Sequence, residues 1–479
     1  MPRGDRGTPG HASSLIPPAT RLIMALVGMD PADEPLLFWR LLRAFPHPFH
    51  RTRKFAAMRT CSPAAARHLA GAHGPPQPPR VSPAPKHELM DSPLFRFAAL
   101  LLLASSSPAE SNAAPGTARA GYFPPPESQG GWRSVASDED IEAGAGMDRA
   151  RVADLRSWLL QSDARPFAAV VIRRGYVVLQ VERGNSATTD TRNVKSCAKA
   201  ICATVLAIAA EQSSAGHLPR RMSFDDRAFD FIPWAQPLSD PRKSRITVRQ
   251  LLNHTSGLTP ESTKVPNRGP WELILGHTGD ARNQRLAFDP GTDLDYGTHA
   301  LYHAALVCET VTGQPYDRFA IAHLFRPLGI EQWWFEFIDG DPAHGRHPSH
   351  AVGLPARELA RIAYCMLREG RWGEHQVVPA WFVRETATPS HAVTGTKTFG
   401  REATSFSSGW ELPGRLGDER GRGIPRDARF KPGSGGQLMA FVPSLDLVMA
   451  RQTGGSGQWE YEEFLRRACA AVPRARHEP

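Results

Sequence analysis

Ser196 and Lys199 are the pair of residues in this sequence whose types and spacing could do chemistry. They lie three positions apart at the start of an apolar run, so on a helix both side chains would project from its first turn. A serine hydroxyl attacks poorly until a neighbour takes its proton, and a lysine amine can do so only when burial or positive charge keeps it neutral. The pair indicates nucleophilic acyl transfer, although for these residues alone a serine helix cap followed by a solvated lysine is the favoured alternative.

Further segments extend the pattern along the chain. They follow one another in a fixed order: Ile246–Leu258 (ITVRQLLNHTSGL), Phe288–Thr298, Thr312–Phe319, Leu324–Ile330 and Lys431–Gln437 (KPGSGGQ). This series resembles the serine β-lactamase and penicillin-binding-protein superfamily, in particular its class C β-lactamase-like branch of esterases and D-amino-acid-specific peptidases. The resemblance covers residues 150–472, and its most specific part is the long string from Ile246 to Leu258.

The resemblance implies a role for each matching residue. Ser196 is the acylated nucleophile, Lys199 shares or relays its proton, and Tyr296 acts as a base toward the serine and as an acid toward the leaving group. The backbone N–H groups of Ser196 and Ser434 form the oxyanion hole. A phenol, with an ordinary pKa of ~10, helps near neutral pH only when cations such as Lys199 and Lys431 stabilise its anion. A buried core tyrosine with a satisfied hydroxyl is the simpler alternative for Tyr296.

Two positions that line the expected substrate site depart from the family pattern. Lys431, Pro432 and Gly433 match the family's K-T-G strand, but with proline in place of threonine, and Thr298 stands where the family has asparagine in Y-x-N. In the family these polar groups hold the amide and carboxylate of a β-lactam or peptidyl substrate, and proline offers neither a hydroxyl nor an N–H. Losing such contacts removes substrate-binding energy and leaves the acylation groups in place. The departures favour a carboxylesterase.

Two other functions stay open at this point. One is β-lactamase or D,D-peptidase activity, and the other is a non-catalytic cell-wall-binding protein of the same fold. The expected substrate is a small ester or amide, with a β-lactam or a peptidoglycan peptide as further possibilities, and no cofactor is expected. His344, His347 and His350 could suggest a metal site, but they lie in a Gly- and Pro-containing stretch without a matching acid or cysteine cluster, so we predict a loop and no metal.

The predicted elements place strands at both ends of the domain. A helix is expected over 147–161 and two strands within 167–183, while a second hairpin over 436–451 and a helix over 459–472 follow near the other end. The segment between them is predicted to be mostly helical. The expected fold is α/β (α+β): an antiparallel sheet built from both chain ends and flanked by helices, with a mostly helical inserted domain, as in the β-lactamase/transpeptidase-like architecture.

Composition bounds the remaining organisation. The chain has 479 residues and a net charge of +9, of which residues 1–89 carry +7, so the body offers no evident surface for a nucleic acid. Its longest apolar run falls well short of the ~18 residues of a membrane span. Five cysteines, Cys197, Cys202, Cys308, Cys365 and Cys469, are expected as buried free thiols.

We predict the following domain boundaries. Residues 1–89 form a Pro-rich disordered tail upstream of the natural start at Met90, 90–107 a signal peptide for a secreted or periplasmic protein, and 108–146 a linker. The hydrolase domain spans 147–472, with an α/β part (147–215 and 400–472) and a helical part (216–399), and 473–479 form a tail.

Overall fold

The structure is a computed structural model that describes residues 121–265, 270–341, 345–389, 405–413 and 423–473. These residues belong to one compact unit, Glu110–Pro479. The predicted tail 1–89 and signal peptide 90–107 lie outside the described residues, as do residues 474–479. Among the described helices, none has the length and apolar character needed to cross a membrane.

The strands are β1 (Phe167–Arg173), β2 (Tyr176–Arg183), β3 (Arg192–Asn193), β4 (Trp334–Asp341), β5 (Gly345–Leu354), β6 (Arg371–Trp372), β7 (His375–Gln376), β8 (Ser405–Ser407), β9 (Trp410–Leu412), β10 (Arg429–Gly433), β11 (Gln437–Val442) and β12 (Leu447–Thr453). The α-helices are α1 (Asp138–Ala143), α2 (Arg149–Ser162), α3 (Cys197–Ser214), α4 (Val248–Leu252), α5 (Trp271–Leu275), α6 (Ala281–Gln284), α7 (His299–Thr312), α8 (Tyr316–Ala320), α9 (Ala356–Leu367), α10 (Ala380–Glu385) and α11 (Tyr461–Ala470).

The main sheet joins both ends of the domain, as the sequence predicts. It is antiparallel, with strand order β2-β1-β12-β11-β10-β9-β8. The predicted turn at Arg174 and Gly175 separates β1 from β2, and both residues have positive φ. The terminal hairpin is confirmed as β11 and β12, although β12 begins at Leu447 because a short 3-10 turn occupies Pro443–Leu445. The predicted fold class is confirmed.

Both faces of this sheet are covered. On β1, Phe167, Ala169 and Val171 belong to the core that includes residues of α2 and α11. The alternating residues Ala168 and Val170 belong to a larger core that includes α3, α7 and α9. This alternation with a period of two is what a strand buried on both faces requires. The predicted helices at the two ends of the domain are α2 and α11, and they pack together on one face.

Helix α3 is the central helix of the larger core. Its residues from Cys197 to Ala210 are all buried, and it contacts α7, β5 and β10. A helix that is apolar all round must be surrounded by protein. The five cysteines from Cys197 to Cys469 that the sequence analysis considered are buried free thiols, as predicted.

A second sheet differs from the sequence-based expectation. Strands β3, β5 and β4 form a three-stranded antiparallel sheet, and two of them, β4 and β5, lie inside the segment predicted to be mostly helical. The loop predicted for His344–His350 is wrong from Gly345 onward, because β5 runs from Gly345 to Leu354 and pairs with both neighbours, while His344 lies outside the described residues. Pairing with the neighbouring β4 and with β3, which is distant in sequence, outweighs the local turn signals of glycine and proline.

The predicted linker 108–146 ends in packed structure. From residue 121 onward it is described, and it contains α1 and the core residue Trp132, which is only 3% exposed. Buried Arg361 of α9 donates hydrogen bonds to the carbonyls of Pro124 and Pro125 and pairs with Glu127. A single guanidinium thus satisfies backbone groups of a segment that has no helical or strand periodicity. Helix α9, within the predicted helical part, packs on β1, β11 and β12 of the main sheet.

We predict that Arg361→Met lowers the free energy of unfolding by about 3–5 kcal/mol. Arg361 and Glu358 form an ion pair of 2.9 Å in which both side chains are fully buried, so removing the cation leaves an uncompensated carboxylate. Burial already raises the pKa of Glu358 to about 7. Urea unfolding measures the change, and Arg371→Met in an exposed pair with Glu374 is the control. A loss below ~1 kcal/mol, the value of a surface pair, would contradict this account.

Candidate active site

Ser196 lies at the amino end of α3, directly before its first residue. Its backbone is helical (φ −66°, ψ −11°), and its side chain makes no capping hydrogen bond. The preceding Lys195 has φ +52°, a conformation that few non-glycine residues adopt and that costs energy. The turn leaves the side chain of Ser196 partly exposed. A serine that served as a cap would accept a bond from an N–H of the first helical turn, so the capping alternative is wrong.

Lys199 is buried one turn further along α3. Its side chain is 3% exposed, and its Nζ lies 3.2 Å from Ser196 Oγ. The alternative of a solvated lysine is therefore wrong. Burial lowers the pKa of Lys199 to about 8; the carboxylate of Glu261 opposes this shift, and the ammonium of Lys431 adds to it. With a pKa of about 8, roughly one tenth of this amine is uncharged at pH 7, and the uncharged amine is the state that can accept a proton.

Tyr296 completes the group that the sequence predicts. Its side chain is 2% exposed. The Nζ atoms of Lys199 and Lys431 each lie 4.7 Å from the centroid of its ring. Burial, together with the negative charge of Glu261, raises the pKa of Tyr296 well above its usual value. Tyr296 is therefore a neutral phenol near neutral pH.

Thr298 and Glu261 extend this group on the side away from Ser196. Thr298 Oγ1 lies 3.2 Å from Lys199 Nζ and donates a hydrogen bond of 2.6 Å to Glu261 Oε1. The same carboxylate oxygen lies 3.8 Å from Lys199 Nζ. Thr298 was predicted to line the substrate site, and the structure places it beside the amine of Lys199.

Lys431 forms a buried ion pair that the sequence analysis did not predict. Its Nζ donates to Glu411 Oε1 at 2.6 Å, and the two side chains are 1% and 3% exposed. Glu411 lies on β9, which pairs with β10 at Phe430. The backbone carbonyl of Lys431 accepts a hydrogen bond from the Cys197 thiol at 2.9 Å. Lys431 is therefore held from both its side chain and its backbone.

Gly433 brings the end of β10 close to the backbone of Ser196. A Cβ atom at this position would lie 2.7 Å from the carbonyl oxygen of Val194 and 3.1 Å from the backbone nitrogen of Ser196. Only glycine allows the strand to approach this closely. Pro432, which precedes Gly433, is buried, and Ser434, which follows Gly433, is exposed. The oxyanion hole formed by the N–H groups of Ser196 and Ser434 stays a prediction.

The imidazole of His254 packs against the ring of Tyr296. Its ring lies 4.3 Å from the ring of Tyr296, and its Nδ1 accepts a hydrogen bond of 3.4 Å from the backbone N–H of Gly297. Phe406 of β8 contacts both rings, with centroid distances of 5.3 Å to His254 and 6.1 Å to Tyr296. These contacts indicate a structural role for His254, the first residue of the H-T-S-G turn at 254–257.

The short hairpin of β8 and β9 delivers Phe406 and Glu411 to the site, and polar contacts hold its turn. Ser408 donates from its backbone nitrogen to Asn253 Oδ1 at 2.8 Å and from its hydroxyl to Glu385 Oε1 at 2.6 Å. Glu385 in turn pairs with Arg249 at 2.6 Å. At Gly409 a Cβ atom would lie 2.9 Å from the Cβ of Ala203, so the turn packs directly on α3.

Three of the residues that surround the predicted group have no signal in the sequence. Glu261 follows the H-T-S-G turn by a few residues, and Glu411 and Phe406 lie in a short segment without strong periodicity. Isolated acidic and aromatic residues are common, and only the pairing of β9 with β10 brings Glu411 beside Lys431. Contacts between residues so far apart in sequence follow from the tertiary fold, not from local patterns.

Comparison with known proteins places this geometry in a family. The profile of the Beta-lactamase family matches residues 155–468. A provisionally named D-alanyl-D-alanine carboxypeptidase from Escherichia coli (strain K12) is 31% identical over 114 residues, which are 22% of this chain and 26% of that protein. The chain therefore spans about a quarter of the length of this relative.

Solved structures agree on the fold. A provisionally assigned beta-lactamase from Bacteroides dorei DSM 17855 matches with a TM-score of 0.54 and 18% identity, over 68% of this chain and 99% of that one. A penicillin-binding protein homologue from Caulobacter crescentus matches with a TM-score of 0.51 and 17% identity, over 67% and 97% of the two chains. The chain belongs to the Beta-lactamase family, within the superfamily of serine β-lactamases and penicillin-binding proteins.

Proposed function

We propose that the protein is a serine hydrolase that forms an acyl-enzyme on Ser196 and acts on small esters, with amides as the second substrate class. The observation that carries this proposal is the buried amine of Lys199, 3.2 Å from the hydroxyl of Ser196. An uncharged amine at this distance can take the proton that makes the hydroxyl nucleophilic. The same two groups lie at the amino end of a helix, where backbone N–H groups favour negative charge.

Acylation needs a base that takes the proton of Ser196 and an acid that gives a proton to the leaving group, and Lys199 and Tyr296 are the candidates for these two roles. Ser196 Oγ forms a bond to the carbonyl carbon while its proton passes to Lys199 Nζ, and the carbonyl electrons move onto oxygen. The raised pKa of Tyr296 and the lowered pKa of Lys199 favour the amine as this base. When the tetrahedral intermediate collapses, the bond to the leaving group breaks, and the leaving oxygen receives the proton of the Lys199 ammonium, either directly or through the phenol of Tyr296, which is reprotonated by Lys199. The amine of Lys199 is then neutral again.

The second step releases the acid. A water molecule attacks the acyl carbon, gives a proton to the neutral amine, and the ester bond to Ser196 breaks with return of a proton to Oγ. In both steps the oxyanion is expected to accept hydrogen bonds from the backbone N–H groups of Ser196 and Ser434. This chemistry uses only groups of the chain and water.

Three features near the site support a neutral ester over a substrate that carries a carboxylate. The ammonium of Lys431 is already paired with Glu411 at 2.6 Å, so it has little free charge to offer. The hydroxyl of Thr298 is committed to Glu261. Pro432 has no hydroxyl at all. Substrates of β-lactamases and D,D-peptidases carry a carboxylate, and these positions are where the family pattern has polar groups to hold it.

A β-lactamase or D,D-peptidase activity is the second candidate. The relative named as a D-alanyl-D-alanine carboxypeptidase favours it. A non-catalytic cell-wall-binding protein is a third, and it is opposed by the distance between Lys199 and Ser196. The secreted or periplasmic location expected from residues 90–107 also stays a prediction, which sequencing the amino terminus of the mature protein would test.

We predict that incubation with an ester or a β-lactam adds the mass of one acyl group to the protein, and that incubation with a fluorophosphonate probe adds the mass of the bound probe. Ser196→Ala should abolish both additions. Intact-mass spectrometry followed by peptide mapping measures it, with a panel of p-nitrophenyl esters and β-lactams as reagents. Ser434→Ala is the matched control, because this exposed hydroxyl is not the proposed nucleophile and its backbone N–H remains. Labelling that persists in Ser196→Ala would reject the assignment, and a parent protein without any adduct would favour the non-catalytic binder.

We predict that kcat/KM for a neutral ester rises with pH to a plateau above about 8. The base must be unprotonated, and burial lowers the pKa of Lys199 to about 8, so activity falls about tenfold per pH unit below that value. A p-nitrophenyl ester without titratable groups, assayed from pH 5.5 to 9.5, measures the profile. Lys199→Met serves as the control and should lose both the activity and this limb. A profile that stays flat between pH 6 and 9 would rule out this amine as the base.

We predict that p-nitrophenyl butyrate is turned over with a kcat/KM at least ~100-fold above that for nitrocefin, which carries a carboxylate. Glu411→Gln should narrow this gap by about tenfold, because it leaves the ammonium of Lys431 without its counter-charge, and tenfold corresponds to ~1.4 kcal/mol. Leaving the buried ammonium of Lys431 unpaired also destabilises the fold, so a melting curve must show that the variant is folded at the assay temperature. Fast nitrocefin turnover without ester turnover in the parent would overturn the ester assignment.

A further inference from the structure

The amine of Lys199 has three oxygen neighbours, and together they restrict how it can be oriented. Its Nζ lies 3.2 Å from Ser196 Oγ, 3.2 Å from Thr298 Oγ1 and 3.8 Å from Glu261 Oε1. Thr298 has a single hydroxyl proton, and that proton goes to Glu261 in a hydrogen bond of 2.6 Å. Thr298 can therefore only accept from the amine.

The donor and acceptor capacities then leave one arrangement. An uncharged amine has two N–H donors and one lone pair, while an ionised carboxylate accepts hydrogen bonds and donates none. Thr298 Oγ1 accepts an N–H from the amine at 3.2 Å, and the carboxylate of Glu261, at 3.8 Å too far for a hydrogen bond, attracts the N–H side of the amine through its charge. Ser196 is the neighbour among the three with a proton to give. The lone pair of Lys199 must then point toward Ser196 Oγ.

We propose that Glu261, acting through Thr298, is a positioning residue that aims the lone pair of the Lys199 amine at Ser196. This inference rests on the proposed acyl-enzyme function and adds to it a carboxylate that makes no hydrogen bond to the amine of Lys199 and acts on it through Thr298. Without the carboxylate, the hydroxyl proton of Thr298 can turn toward the amine. The hydroxyls of Ser196 and Thr298 then compete as donors to the lone pair of Lys199. Misplaced groups of this kind cost enzymes up to ~100-fold in rate.

The backbone holds this carboxylate in place. Glu261 begins a short 3-10 turn, Glu261–Thr263, and its N–H donates a hydrogen bond of 2.8 Å to the carbonyl of Tyr296. Thr298 follows two residues after Tyr296, so the carboxylate and the hydroxyl share one backbone support. The side chain of Glu261 is 26% exposed, and substitution there removes little packing.

Other charged and titratable groups also face the amine, and they decide what a pH profile reports. They come from the neighbouring elements: Lys431 from β10, Glu411 from β9, His350 from β5, Tyr296 from the loop before α7 and Cys197 from α3 itself. Burial raises the pKa of Cys197 to about 12 and lowers that of His350 well below its usual value, so both are uncharged around neutral pH. The charges that remain are those of Lys431, Glu411 and Glu261.

The test is a double-mutant cycle on ester hydrolysis, with kcat/KM measured across the pH range. Glu261→Ala and Thr298→Val should each lower the plateau of kcat/KM by ~10- to 100-fold, and the double variant should lose no more than the worse single variant, because both act on one orientation. Glu261→Gln keeps an acceptor for Thr298 and should restore the plateau to within ~5-fold of the parent. It should also move the midpoint of the profile to lower pH, because the negative charge that raises the pKa of Lys199 is gone.

Two results would overturn the inference. One is a Glu261→Ala plateau within twofold of the parent, and the other is a double variant whose loss equals the product of the two single losses. Glu374→Ala is the matched control, since this glutamate lies in an exposed turn with a side chain 96% exposed, and melting temperatures verify folding. The proposed function fails separately, if Ser196→Ala retains ester hydrolysis; if that variant is inactive while Glu261→Ala is unaffected, only the positioning role is rejected.

Discussion

Two lysine side chains and two carboxylates lie around Tyr296, three of them buried, and the structure of the site depends on how they are paired. Removing such charges from water is costly unless each finds a partner. Lys431 and Glu411 are in direct contact at 2.6 Å, whereas Lys199 and Glu261 are 3.8 Å apart with Thr298 between them. The tight pair anchors a strand. The loose pair leaves an amine whose pKa falls to about 8 and which can exchange a proton with its neighbour.

The fold builds this pocket from parts that are far apart in the chain. The amino end of α3 supplies Ser196, and the end of β10 approaches it closely enough that Gly433 has no room for a side chain. The hairpin of β8 and β9 adds the carboxylate of Glu411, and its turn is clamped to the region that follows α4. Each element is held by contacts that do not involve the reacting hydroxyl. The geometry is therefore set before a substrate arrives, which is the condition for electrostatic catalysis.

The sequence predicts which residues meet at the candidate site better than it predicts the surroundings of that site. The strands of the main sheet and the terminal helices follow from their periodicity, and Ser196, Lys199 and Tyr296 were recognised from motifs and meet in space. Glu261 and Glu411 were missed because an isolated acidic residue carries no pattern. The strand β5 was missed because its own composition resembles a loop, and its pairing with β3 joins residues that are distant in sequence. Local signals specify elements, and tertiary pairing decides which polar groups become neighbours.

The segment that precedes α2 has a practical consequence for anyone shortening the chain. The family profile begins at residue 155, yet Trp132 is inserted into the core and Arg361 holds the carbonyls of Pro124 and Pro125. A fragment cut at the profile boundary would uncover the aromatic residue on α9 that Trp132 covers, and it would remove three acceptors of the buried Arg361 guanidinium, namely the two carbonyls and the carboxylate of Glu127. Such a fragment would tend to self-associate through the uncovered apolar surface. The autonomous folding unit is thus longer at its amino end than similarity to relatives indicates.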